Sequence, residues 1–249
     1  MTRFNFLICL IAVALTAAPS TTCAGSKEIS RVLIYGASGR IGGPIVEEAL
    51  LRGHEVTGVS RNPVRLEQFA DRINVETGDI LDRERTTELV SAHDAIIVSI
   101  GGRPGNQDPS QYIAALAAES LVEVMEQFGD DGPRLIFVGN LFTLVFEDGK
   151  TLLELGRVPE DHENYAMFHG HQIALDTFRA SEGVNWTVAC PPNGLRLEGR
   201  TEKVRWGGDE LLRDPDGTPS GISREDFAYA VFEELENGNY VQQRFNVAR

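Results

Sequence analysis

The stretch from Val32 to Gly43 reads VLIYGASGRIGG: a short apolar run, glycines at 36, 39 and 42, then the start of an apolar helical pattern. That order predicts a strand, a tight turn and a helix, and the turn is built to receive phosphate. Gly36 lets the chain leave the strand sharply, and Gly39 lets a backbone approach a pyrophosphate. Gly42 lets the next helix pack close to the strand with its N-terminal N–H groups aimed at the ligand. A plain tight turn would use the same glycines, but the legible strand before and helix after are the context that dinucleotide binding requires.

From residue 31 onward, strand-like runs alternate with helical patterns. Strands are expected at Arg31–Tyr35, Glu55–Ser60, Ile73–Glu76, Ala95–Ile100, Arg134–Val138 and Trp186–Cys190. Between them, a helix after Ile41 buries Ile41, Ile45, Ala49 and Leu50 and stops at Gly53. Asp82 caps a helix over residues 83–91. A long helix after Pro109-Ser110 places Ile113, Leu116, Ala117, Leu121, Val124 and Phe128 on one face and ends at Gly129, and a further helix spans roughly 160–181. Such alternation implies right-handed crossovers and a parallel sheet, hence an α/β fold with a single Rossmann-type, doubly wound sheet. Residues 192–223, rich in Gly, Pro and charge, read as a small C-terminal lobe on the substrate side, with a short strand near Glu202–Trp206. Ser223 then opens a last helix that ends at Gly238, and Phe245–Val247 is a final strand.

The 249 residues suit one such domain, over 25–249. With 23 basic and 37 acidic residues the net charge is −14, which disfavours nucleic acid or anionic membrane as a partner. Residues 1–24 have an Arg3 n-region, an apolar run from Phe6 to Ala18 and small residues around Cys23-Ala24. They resemble a Sec-type signal peptide, which makes the mature chain exported and free of membrane spans; an uncleaved anchor or a misplaced start codon, with a cytoplasmic protein, is the alternative. Cleavage after Ala24 leaves Cys190 as the sole cysteine and no intramolecular disulfide.

In a sheet of this kind the ligand lies along the carboxyl ends of the strands. Those ends read Gly36, Ser60-Arg61, Gly78-Asp79-Ile80, Ser99-Ile100-Gly101-Gly102, Gly139-Asn140 and Pro191-Pro192-Asn193. The second exit discriminates most. An acidic side chain there would accept from the adenosine ribose hydroxyls of NAD; Ser60-Arg61 offers none, and Arg61 can grip the 2′-phosphate of NADP. A solvated surface arginine is the rival reading. Asp79 could accept from the adenine amino group while Ile80 covers the ring, or Asp79 is an ordinary turn residue.

The pattern GASGxxG, VSRNP, TGDILD and a strand ending in Gly-Gly resembles the atypical branch of the short-chain dehydrogenase/reductase superfamily. RLIFVGNLF, WTVACPPNG and ISREDFAYAVFEEL resemble its NADPH-dependent flavin reductase and biliverdin-IXβ reductase group, over residues 31–248 nearly continuously. The resemblance implies NADP held by the turn from Gly36 to Gly42, including Ala37, Ser38, Gly39, Arg40 and Ile41. It also implies Arg61 at the 2′-phosphate, Asp79 and Ile80 at the adenine, and Pro191-Pro192 on the nicotinamide side. Ser99, Ile100, Gly101, Gly102 and Asn140, at the strand exits, complete the expected cofactor-binding set, with Gly101, Gly102 and Pro191 shaping the pocket where rings would stack. The superfamily's Tyr-x-x-x-Lys pair is replaced by Tyr165-Ala-Met-Phe-His169, so a fixed cation gives way to a mostly neutral group. The strand-five serine gives way to Gly139-Asn140, and Asn193 stands where the group tends to carry His.

These features predict an NADPH-dependent oxidoreductase that transfers a hydride to a small planar acceptor, flavin- or quinone-like, with Tyr165 and His169 as the catalytic candidates. An NADP(H)-binding redox sensor without turnover and a nucleotide-sugar epimerase are the alternatives. His162, Tyr165 and His169 share one helical stripe. On a helix, 162 and 169 stand about 10.5 Å apart along the axis, so no metal site is expected from these histidines.

Overall fold

A computed structural model describes residues 29–102, 108–192 and 195–249; the expected signal peptide and Asn193 lie outside them. Ten strands form: β1 Arg31–Tyr35, β2 Glu55–Ser60, β3 Asn74–Thr77, β4 Ala95–Val98, β5 Arg134–Val138, β6 Val145–Glu147, β7 Lys150–Thr151, β8 Trp186–Cys190, β9 Arg205–Gly207 and β10 Gln243–Ala248. The helices are α1 Gly42–Leu51, α2 Arg83–Ser91, α3 Ile113–Met125, α4 Tyr165–Ala180 and α5 Arg224–Asn237. Eight strands build one sheet in the order β3-β2-β1-β4-β5-β8-β10-β9, parallel except for the edge strand β9. The order reverses between β1 and β4, and that switch point leaves a crevice at the carboxyl ends.

Strands β1, β4, β5 and β8 are near-continuous apolar runs because both faces of the sheet are covered. One layer packs Leu33, Ile96, Leu135 and Val188 against Leu89 of α2, Leu121 of α3 and Phe178 of α4. The other packs Val32, Ile34 and Ile136 against Ile45 and Val46 of α1 and Phe227 and Val231 of α5. Helix ends follow local chemistry. Asp82 accepts from the Arg85 N–H (3.1 Å) and Ser223 from the Asp226 N–H (3.0 Å), while Gly238 closes α5 in the left-handed region at φ 64°. A buried ion pair ties the sheet to α5: Arg134 at the start of β5 meets Glu234 of α5 at 2.7 Å, and Arg134 also donates to Thr187 and to Asn185.

Several elements differ from the sequence-based expectation. β4 ends at Val98 because the chain peels away where Gly36 crosses the Ser99 backbone. α4 begins at Tyr165, since residues 159–164 close turns of their own: the His162 N–H donates to the Pro159 carbonyl (2.9 Å) and the Asn164 N–H to His162 Nδ1 (3.0 Å). His162 therefore leaves the stripe expected with Tyr165 and His169. Ile41, Leu50, Ile113 and Leu116 are only half-buried; smaller residues such as Ala114 and Ala118 face the core of α3 instead. The β6–β7 hairpin was not anticipated. It is tied to residues 209–213 by the Val145 N–H on the Asp209 carbonyl (2.9 Å) and by the Arg213 guanidinium 4.0 Å above the Phe146 ring. Within residues 195–223, β9 joins the main sheet by pairing antiparallel with β10. Among the described residues, no helix is long and apolar enough to cross a membrane.

Candidate functional site

At the switch point, Gly36 takes φ +80°, and a Cβ there would stand 2.1 Å from the Ser99 carbonyl oxygen. Gly42 is as constrained: its Cβ would stand 2.0 Å from the Gly36 carbonyl oxygen. The Gly39 N–H donates to that same oxygen (2.8 Å), closing the turn. Ile41 is the N-cap residue of α1 and offers no capping side chain, and Pro44 lacks an N–H, so the first turn of α1 is left without a side-chain cap. The Gly43 N–H is turned back to the Gly39 carbonyl (2.9 Å), so what the start of α1 offers an anion beside the glycine turn is chiefly the positive end of its dipole.

This turn opens on a cleft of about 470 Å³ lined by Tyr35, Gly36, Ser38, Gly39, Val59, Ser60, Arg61, Asn62, Arg65, Gly78, Asp79, Ile80, Ser99, Ile100, Gly101 and Ile113. Nine of the residues expected to bind the cofactor thus converge: Gly36, Ser38, Gly39, Arg61, Asp79, Ile80, Ser99, Ile100 and Gly101. Arg61 is 77 % exposed and 3.9 Å from the Asp79 carboxylate, a contact that water screens and that leaves the guanidinium free to turn to a ligand. Asp79 accepts from the Leu81 N–H (3.1 Å), and Ile80 is buried with its carbonyl taking the Ser120 hydroxyl (2.9 Å). Arg65, which sequence reasoning missed, brings a second cation. The signal for it was present: Asn62 accepts from the Val64 N–H (3.2 Å) and Pro63 follows, so a 3-10 helix over Pro63–Phe69 begins there and carries Arg65 to the cleft. With Arg61 and Arg65 against Asp79, the lining is net cationic in a chain of net charge −14.

The other expected residues lie elsewhere. Ala37 and Gly42 are buried behind the turn, and Ile41 is half-buried at its helix junction. Arg40 faces a separate cavity of about 440 Å³ between α1 and the start of α5, with Arg200 and Arg224. The Gly102 N–H donates to the Tyr112 hydroxyl (2.9 Å). Asn140 caps the turn after β5 by accepting from the Phe142 N–H (2.9 Å). Pro191 is half-buried just beyond β8. Tyr165 and His169 stand ring to ring, 4.2 Å between centroids, on the first turns of α4, outside the cleft lining. Burial lowers the His169 pKa, which keeps the imidazole neutral near pH 7. Near them Phe142 and Phe168 stack at 3.7 Å, so the start of α4 sits over the exit of β5. Among the described residues, no group of three or more His, Cys, Asp or Glu side chains is placed to hold a metal ion.

Residues 36–238 match the sequence profile of the NAD(P)H-binding family. The protein YwnB of Bacillus subtilis (strain 168) is 29% identical over 223 residues, covering 87% of this chain and 97% of its own. A candidate exported protein from Burkholderia pseudomallei shares the fold with a TM-score of 0.74 and 26% identity, over 89% of this chain and 100% of that one. A candidate NADH-flavin reductase from Streptococcus pneumoniae shares it with a TM-score of 0.73 and 24% identity, over 88% and 99%. The chain belongs to the NAD(P)H-binding family.

Proposed function

We propose that this member of the NAD(P)H-binding family is an NADPH-dependent reductase whose acceptor is a small planar molecule of the flavin or quinone kind. The observation that carries the cofactor choice is the pair Arg61 and Arg65 on the cleft at the β2 exit, with Ser60 rather than a carboxylate ending that strand. The glycine turn fits a pyrophosphate because only glycine allows its close crossings: a Cβ at Gly36 would stand 2.1 Å from the Ser99 carbonyl oxygen and one at Gly42 2.0 Å from the Gly36 carbonyl oxygen. The turn from Gly36 to Gly39 and the N-terminal end of α1 would hold the diphosphate, Arg61 and Arg65 the 2′-phosphate, and Asp79 the adenine amino group. Bound there, the dihydronicotinamide would supply the hydride.

The chain's own residues bind and orient. Tyr35, Val59, Ile80, Ile100 and Ile113 give the cleft apolar surface on which a ring could rest. Replacement of the superfamily lysine by neutral His169 argues against a reaction that needs a strongly acidified tyrosine; hydride transfer between stacked rings asks chiefly for orientation. Tyr165, beside His169, is the group proposed to return a proton to the reduced acceptor.

NADPH oxidation followed by absorbance with FMN and quinone acceptors tests the activity. Turnover is expected, whereas tight NADPH binding without turnover would favour a redox sensor, a reading that the missing lysine also suits. Arg61→Glu should weaken NADPH binding far more than NADH binding, and equal losses would remove the NADP assignment. Tyr165→Phe with unchanged turnover would remove the proton role. Export through residues 1–24, leaving one domain over 25–249, belongs to the same proposal; N-terminal sequencing of the native protein should find Gly25 first, and a start at Met1 would overturn it.

A further inference from the structure

Tyr112 lies between the cofactor cleft and α4 and is 1% exposed. Its hydroxyl oxygen accepts from the Gly102 N–H at 2.9 Å. Its ring runs in a slot made by two glycines: a Cβ at Gly102 would stand 3.0 Å from Tyr112 Cε2, and a Cβ at Gly170 of α4 would stand 2.7 Å from Tyr112 Cβ. On the cleft side, Gly101 and Ile113, neighbours of Gly102 and Tyr112, both line the wall.

We propose that Tyr112 is a positioning residue for the nicotinamide half of the cofactor, its hydroxyl fixing the Gly101-Gly102 backbone as a rigid wall of the cleft. This inference rests on the reading of the cleft as the NADPH site. Two glycines in succession are the most freely moving backbone a wall can have. A Cβ at Gly101 would meet nothing within 4 Å, so packing does not restrain it. The bond from Gly102 to Tyr112 does, and the ordering is done before a ligand arrives, which is how preorganisation adds affinity. Burial raises the Tyr112 pKa, so the phenol stays neutral through the physiological range and no charge is set beside the cleft wall. Gly170 is part of the device, because any side chain there would push the ring along its slot toward Gly102. The adenosine half of the ligand, at the β2 and β3 exits, lies away from this wall.

The test uses the full chain and two probes by titration calorimetry: NADPH and adenosine 2′,5′-bisphosphate, which lacks the nicotinamide. Tyr112→Phe keeps the ring and removes the bond; Gly170→Ala keeps the hydroxyl and displaces the ring. Each should weaken NADPH about fivefold, the worth of one ordinary hydrogen bond, and leave the bisphosphate unchanged. Equal weakening of both probes would mark a general packing defect and overturn the inference, as would no change in either. If the unaltered protein bound neither probe, the cofactor reading itself would fall and the inference with it.

Discussion

Gly42 and Gly43 are adjacent at the start of α1, yet adding one methyl to each should have opposite effects. At Gly42 the new Cβ would stand 2.0 Å from the Gly36 carbonyl oxygen, 2.8 Å from its carbon and 3.1 Å from Ala37 Cα, all backbone atoms that cannot rotate away. Reaching the 3.0 Å that such contacts need as a minimum takes a 1.0 Å shift of α1 against the β1 exit. Overpacking of a close-packed interior costs about 1–3 kcal/mol, and backbone on both sides puts Gly42→Ala near the upper end. At Gly43 a Cβ meets nothing nearer than Phe69 Cζ at 3.9 Å and the Ala37 carbonyl oxygen at 4.0 Å. Gly43→Ala should therefore stabilise by about 0.5–1 kcal/mol, through the smaller entropy of the unfolded chain. At about 2–4 °C per kcal/mol for a chain of this size, Gly42→Ala should melt about 6–12 °C low and Gly43→Ala about 1–4 °C high. Circular-dichroism melts read the difference, and NADPH titration should show binding lost in the first variant only. Equal melting temperatures for the two variants would refute the close crossing of turn and helix.

Further outcomes concern buried charges. His171, in the core beside Tyr112 and Phe137 with Nδ1 unpartnered among the described residues, has its pKa lowered to about 4 by burial. The unfolded chain then binds more protons than the folded one between pH 6.5 and about 4, so stability should fall by up to about 3 kcal/mol as pH drops through that window. Urea denaturation of His171→Leu should lack that part of the slope, and an unchanged slope would refute the assignment. Arg134→Met would strand the Glu234 carboxylate, fully buried on α5, at a cost of about 3–5 kcal/mol. Burial already raises the Glu234 pKa, and a raised carboxylate loses stability as pH climbs through it. The loss in Arg134→Met should thus be larger at pH 8 than at pH 5, and a pH-independent loss would contradict the pairing.

Much of this was legible because it is local. The glycine triplet, the Asp82 and Ser223 caps and the Gly238 stop are short-range chemistry that the structure repeats at the expected residues. The strand exits were legible because a parallel sheet must bring them together, and nine of the residues read from them share one cleft. What escaped depends on contacts between distant segments. The β6–β7 hairpin is held by Asp209, Leu211 and Arg213, which nothing near residue 145 announces. Nothing in the sequence around Tyr112 announces its bond to the Gly102 N–H or the packing of Gly170 of α4 against its ring. His162 left the helical stripe because its own ring satisfies the Asn164 amide. Arg65 was missed for a smaller reason, since the Asn62-Pro63 pair begins a helical turn that carries it four residues on from Arg61.

Calorimetric titration of the full chain with NADPH and NADH puts the central claim to the most direct test. A single class of site is expected, saturated by either nucleotide and tighter for NADPH, with the preference abolished in Arg61→Glu. Absence of binding heat for both nucleotides at millimolar concentration would contradict the assignment of the glycine cradle and its cationic rim as a dinucleotide site.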